Sequence, residues 1–266
     1  MKKWILAGLI AAMTSSWAQA ETLTVGEQCT YPPFNYRDAA GELKGFEIDV
    51  ANEIGKRIGA EIAFSCLSFD AFIPALLARK LDIVVSSLSI TEARKKSVDF
   101  SIPYRVSAGR FVAHKDANIE PVNGDGTANT EALKGKVVGV QRSTTNDTYL
   151  AGEFEGVEIA RYDSAENLLL DLVAGRIDLA LIGALKAQQD FLDQPEGKDF
   201  AFVGPDIDIP KYFGEGVGVA MRKGNDDLRD RIDKALESMF ADGTMEALNK
   251  KYWSINILPS KWNWQK

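Results

Sequence analysis

Phe72-Ile73-Pro74-Ala75-Leu76-Leu77-Ala78-Arg79-Lys80-Leu81-Asp82-Ile83 resembles a unit later in the chain, Asn167-Leu168-Leu169-Leu170-Asp171-Leu172-Val173-Ala174-Gly175-Arg176-Ile177-Asp178-Leu179. In each, an apolar helical stretch ends at a basic turn and feeds a strand that opens apolar-Asp-apolar. Two such units point to two lobes of related build, the alternative being a coincidence between two ordinary αβ units. Around the first unit, strands are expected at 22–27, 62–65 and 81–85, and helices at 47–58 and 70–79. Ile48, Ala51, Ile54 and Ile58 fall near helical spacing, and Gly59 stops that helix. A second series starts near Lys136: strand 137–140, helix 144–150, strand 157–161, helix 165–174, strand 177–182, helix 185–192. This alternation implies an α/β fold, each lobe a mostly parallel sheet flanked by helices.

The segment 104–113 is strand-like and could carry the chain from one lobe to the other. Residues 214–221 are strand-like again, and 226–240 and 244–252 read as helices. If these pack back on the first lobe, lobe 1 comprises 21–107 and 209–266, and lobe 2 is the insertion 108–208. Two hinge strands would then allow closure over a ligand. The polar stretch 116–130 reads as an exposed loop. The tail after Ile257, with Trp262 and Trp264, is expected to pack on the surface or to be disordered.

The first twenty residues read as an export signal. Lys2 and Lys3 give a positive start, 4–13 is a short apolar core, and Ala18-Gln19-Ala20 supplies a small-x-small cleavage site. The apolar run is too short to span a bilayer. A soluble periplasmic protein starting at Glu21 is the expectation. Loss of Lys2 and Lys3 takes the net charge from −7 to −9, and an acidic chain without a basic stripe argues against nucleic-acid binding. The single histidine, His114, and the lack of a Cys-x-x-Cys motif argue against a zinc site or a Ser-His-Asp triad. No metal or cofactor is implied, and a monomer is expected.

Cys29 and Cys66 each follow an expected strand, and neighbouring parallel strands would set those ends side by side. An oxidising compartment favours pairing, which would stabilise the fold by roughly 4 kcal/mol in the chain-entropy picture. Two buried free thiols are the alternative.

Ser86-Ser87-Leu88-Ser89-Ile90-Thr91-Glu92-Ala93-Arg94 reads as a carboxylate clamp at the end of the 81–85 strand. Thr91 is a candidate helix cap, and the Arg94 guanidinium offers a fork of donors that matches a carboxylate. A capped surface helix with a solvated arginine is the competing reading.

Taken with Tyr31-Pro32-Pro33-Phe34, Gly45-Phe46-Glu47-Ile48-Asp49-Val50, Leu133-Lys134-Gly135-Lys136-Val137-Val138-Gly139-Val140, Gln194-Pro195-Glu196-Gly197-Lys198-Asp199-Phe200 and Asp242-Gly243-Thr244, the serine segment resembles the polar amino-acid class of bacterial periplasmic substrate-binding proteins, solute-binding family 3. The lysine/arginine/ornithine- and histidine-binding members are the most similar. The resemblance runs through nearly all of the chain after residue 20. It implies the two-lobed type II periplasmic binding protein fold, closing on an amino acid and delivering it to an inner-membrane ABC permease. By position, Arg94 would grip the ligand carboxylate with Ser87 and Ser89. Thr145 would add a backbone donor from a helix start, where anions are favoured. Tyr31 and Phe69 would sandwich the ligand side chain, unless they are core aromatics. The inferred cleft comprises Gln28, Tyr31, Phe69, Ser86, Ser87, Ser89, Arg94, Gln141, Thr144, Thr145, Asn146 and Gly183.

Two positions depart from the basic amino-acid pattern. Gln28 stands where an acid is usual, and Gly183 replaces the acid that would hold the ligand α-ammonium. A buried ammonium without a carboxylate is costly. Arg142 either lies on the surface or turns inward as a second guanidinium. Together these features suggest an opine-like ligand, an amino acid–keto acid conjugate with a substituted amine. The rival readings are a cyclohexadienyl dehydratase-like enzyme, disfavoured because no inferred cleft position is a carboxylate, lysine or histidine, and a ligand-presenting sensor.

Overall fold

A computed structural model describes residues 21–260. The expected signal segment 1–20, Trp262 and Trp264 lie outside the described residues. The chain opens with β1 (Glu21–Glu27), then the short strands β2 (Thr30–Tyr31), β3 (Asn35–Arg37) and β4 (Leu43–Lys44). Next come α1 (Phe46–Ile58), β5 (Ala60–Cys66), α2 (Phe72–Leu77), β6 (Ile83–Val84), α3 (Glu92–Lys95) and β7 (Val98–Phe100). A second run comprises β8 (Gly109–His114), β9 (Val137–Gln141), α4 (Thr145–Glu153), β10 (Glu158–Tyr162), α5 (Ala165–Val173), β11 (Leu179–Gly183), α6 (Ala184–Ala187) and β12 (Phe200–Ile207). The chain then runs through α7 (Pro210–Phe213), β13 (Ala220–Arg222), α8 (Asp226–Ala241) and α9 (Thr244–Tyr252).

Two five-stranded sheets share one plan. The first has the order β5-β1-β6-β13-β7, the second β10-β9-β11-β8-β12. In the first, β1 runs parallel to β5 and β6, while β13 is antiparallel to β6 and β7. In the second, β9 runs parallel to β10 and β11, while β8 is antiparallel to β11 and β12. Sequence alternation signals the parallel halves. The antiparallel halves involve β8, paired with β11 and β12, and β13, paired with β6 and β7. We propose the crossings at 107/108 and 208/209.

The repeated sequence unit has a repeated physical role. Asp82 accepts a hydrogen bond from Thr24 N at 2.9 Å and its own N–H donates to Thr24 O at 2.9 Å. Asp178 makes the same reciprocal pair with Val137, again at 2.9 Å. Each aspartate thus ties the turn after a helix to an adjacent strand. Gly26 and Gly139 also correspond. A Cβ on Gly26 would lie 2.5 Å from Leu81 Cδ1, and one on Gly139 2.4 Å from Ile177 Cδ1 and from Leu168 Cδ1. Only glycine leaves room for the side chains that pack on the strand at these two places.

The first lobe's core joins β1, α1, α8 and α9 through Val25, Phe46, Val50, Ile54, Ile232, Leu236, Met239 and Trp253. Phe72, Leu76, Leu81 and Val84 pack together in a separate cluster. Parallel pairing sets Glu27 opposite Cys66, and Cys29 and Cys66 form a disulfide.

Candidate functional site

A cavity of about 210 Å³ opens between the two sheets, lined from both lobes. That is below the usual range for drug-sized ligands and suits a smaller metabolite. Eleven of the twelve residues expected from sequence line it: Gln28, Tyr31, Phe69, Ser87, Ser89, Arg94, Gln141, Thr144, Thr145, Asn146 and Gly183. Ser86 does not. It is fully buried, and its hydroxyl accepts from Gln28 N (3.1 Å) and Asn35 Nδ2 (3.2 Å), so it shapes the strand end behind the wall.

Thr91 caps α3 as expected, accepting from Arg94 N at 3.3 Å. The Arg94 guanidinium points inward. It donates to Ser89 O (3.0 Å) and across the cleft to Ser143 O (2.9 Å), and lies 5.5 Å from the Phe69 ring centre. Among the described residues it has no carboxylate partner. Burial pushes it down to about 10, still charged at neutral pH. Facing it is the start of α4, where Thr144 accepts from Asp147 N and so caps the helix. A guanidinium and a helix N-terminus together favour an anion.

Several residues at the site were not singled out from sequence. Arg105 is buried against Glu47 (3.4 Å) and lies 4.3 Å from the Phe34 ring centre. Glu47 accepts from Asn35 Nδ2 (2.7 Å), Ser87 N (2.8 Å) and Tyr104 Oη (2.8 Å). It therefore holds Ser87, a non-glycine residue at φ 52°, in the left-handed region. Lys186 and Asp206 also line the cavity, so the wall does contain a lysine and a carboxylate, contrary to expectation. The only sequence signal for Lys186 was a lysine in an apolar run with an acid at i+4. Arg105 lies in the segment 104–113 expected as strand, but the strand begins only at Gly109, and nothing in that expectation marked the arginine as part of the wall.

Arg142 turns outward, pairing with Asp163 at 2.6 Å, so the second guanidinium of the cavity is Arg105 instead. Gln28 and Gln141 meet across the cleft, Gln141 Nε2 donating to Gln28 Oε1 at 2.7 Å. Gly183 lies beneath Tyr31, whose hydroxyl would be 3.0 Å from a Cβ placed there. Glu27 points away from the cavity, as strand alternation requires. It is fully buried, and among the described residues no group stands in good hydrogen-bonding geometry to either carboxyl oxygen, the Ser86 hydroxyl being its polar neighbour. Burial foremost, then the charge of Glu47, raises its carboxyl well above the usual range, against the pull of Ser86.

Residues 23–255 match the model of the bacterial extracellular solute-binding proteins, family 3. The chain is 39% identical to the lysine/arginine/ornithine-binding periplasmic protein of Escherichia coli, over 97% of this chain and 99% of that one. A solved Salmonella typhimurium periplasmic binding protein of high arginine specificity superposes with TM-score 0.79 at 31% identity, covering 88% of this chain and all of the other. An ancestral amino acid-binding protein described as a precursor of cyclohexadienyl dehydratase gives 0.73 at 30% identity, over 88% and 95%. With this fold, this cleft and these matches, the chain belongs to the bacterial extracellular solute-binding proteins of family 3.

Proposed function

We propose that the protein is the periplasmic capture component of an ABC importer and closes its two lobes on a polar amino acid or an amino-acid derivative. One observation carries this reading: the Arg94 guanidinium, without a carboxylate partner among the described residues, faces a cavity built from both lobes. Arg94 grips the ligand carboxylate with Ser87 and Ser89, and Thr145 N adds a donor from the α4 terminus. Tyr31 and Phe69 flank the ligand body. Residues 1–20 are removed on export, the protein acts as a monomer, and its partner is an inner-membrane permease. The close relatives are named as binding proteins, and we read this chain as having no catalytic activity; absence of prephenate or arogenate turnover is the expected assay result.

The finer reading concerns the amine end. Gly183 offers no carboxylate there, which disfavours a free α-ammonium and suits an opine-like ligand. The test is a thermal-shift screen of amino acids and opines on ligand-stripped protein, because a ligand that binds only the folded state raises Tm. At least one such compound is expected to raise Tm. Arg94→Met is expected to weaken its binding about 10- to 100-fold, the worth of a charged hydrogen bond. Unchanged affinity in that variant refutes the carboxylate clamp.

A further inference from the structure

Lys186 stands three residues after Gly183, on α6. Only 1% of its side chain is exposed, yet it lines the cavity. Its Cβ lies 4.0 Å from where a Cβ on Gly183 would be. Its ammonium pairs with Asp190, one helical turn along, and sits 5.1 Å from the centre of the Tyr31 ring. An ammonium carries three N–H donors and no acceptor. Asp190 is its only hydrogen-bond acceptor among the described residues, and the Tyr31 ring face can engage one more N–H. Among the described residues these two groups account for two of its three donors. Buried polar groups are normally satisfied, and a charged one left short is costly. Glu166 adds a second carboxylate field at the ammonium, and Gly183 has no side chain to supply another acceptor, which leaves a ligand group in the cavity to complete the set.

Resting on the reading that Arg94 holds a ligand carboxylate in this cleft, we propose that Lys186 determines specificity by receiving a second carboxylate of the ligand at the Gly183 wall. Arg94, on α3, and Lys186, on α6, then mark two anion positions in the wall of one small cavity. A ligand that fills both is an amino acid whose nitrogen carries a carboxyalkyl group. Lys186 repels a free α-ammonium at the same place, so the residue selects for the conjugate and against the parent amino acid.

The experiment is titration calorimetry on ligand-stripped full-length mature protein. The probes are matched pairs: arginine, lysine, histidine and glutamate, each against its N-(1-carboxyethyl) derivative. At least one derivative is expected to bind tenfold or more tighter than its parent. Lys186→Met is expected to abolish that preference, weakening the derivative at least tenfold while the parent's affinity holds or rises. Lys186→Arg should restore most of the preference. Because Lys186→Met leaves Asp190 without its cation, Lys186→Met/Asp190→Asn is measured alongside and should behave alike. The proposal is overturned if every parent binds as tightly as its derivative, if no derivative binds, or if both Lys186 variants weaken parent and derivative equally. The clamp reading fails separately, when Arg94→Met leaves binding of whichever compound binds unchanged.

Discussion

Glu47 shows how one buried charge can organise a wall. Its carboxylate gathers Asn35, Ser87 and the adjacent pair Tyr104 and Arg105, from three separate parts of the first lobe. Removing one partner of a buried pair leaves the other uncompensated, at a typical cost of about 3–5 kcal/mol. Glu47→Gln is therefore expected to lower stability by that amount, read as a lower urea midpoint with an unchanged m value. Glu27 gives the opposite case. Its folded carboxyl titrates well above the unfolded value near 4.5, because burial and the Glu47 charge both favour the neutral form. A raised acid contributes stability that is fully present below the unfolded value and is lost as pH rises through the folded one. Glu27→Gln removes that titration. Its Tm gain over the parent should be smallest below pH 4.5 and grow with rising pH; a gain independent of pH would contradict the assignment.

At the level of elements, the two αβ units make a matched experiment. Asp82 and Asp178 bind the N–H of Thr24 and of Val137 with the same geometry. Loss of one partner from a partly buried bond costs about 1–3 kcal/mol. Asp82→Ala and Asp178→Ala should each fall in that range, measured by denaturant melts. Breaking the Cys29–Cys66 bridge, which spans 37 positions, should cost about 4 kcal/mol in the chain-entropy picture. These elements were legible because local periodicity and turn chemistry dictate them. The antiparallel halves were not, since β13 pairs with β6 and β7 across more than 100 positions of intervening sequence. Arg105 is hidden for a related reason: the strand-like stretch 104–113 forms a strand only from Gly109 on, and only tertiary packing against Glu47 gives that arginine a role. The helix expected over 185–192 breaks after Ala187 into a π-helical turn, Gln188–Leu192. Ser86, one of three small hydroxyls at the strand end expected in the cleft, faces Gln28 and Asn35 instead, because a strand end sends adjacent side chains to different sides.

For the molecule as a whole, the correspondence between lobes reaches the cleft itself. Gly26 and Gly139 occupy matching places in β1 and β9, and two residues beyond each stands a glutamine, Gln28 and Gln141. These two form the 2.7 Å bond across the gap, beside the Arg94–Ser143 bond. A neutral hydrogen bond contributes about 1 kcal/mol net, or roughly fivefold in an equilibrium. Gln141→Ala therefore lowers the share of molecules in the closed arrangement by about that factor. Apparent affinity falls in proportion to the binding-competent share, so Kd should rise about fivefold for every ligand tested, whatever its side chain. Stopped-flow measurement should place the change mainly in dissociation, as for most binding-site variants. Arg94→Met behaves differently, because it removes a contact with the ligand rather than one between lobes. A rise in Kd above about fiftyfold for Gln141→Ala, or one that differs sharply between ligands, would mean that Gln141 serves the ligand directly and that closure rests on other contacts.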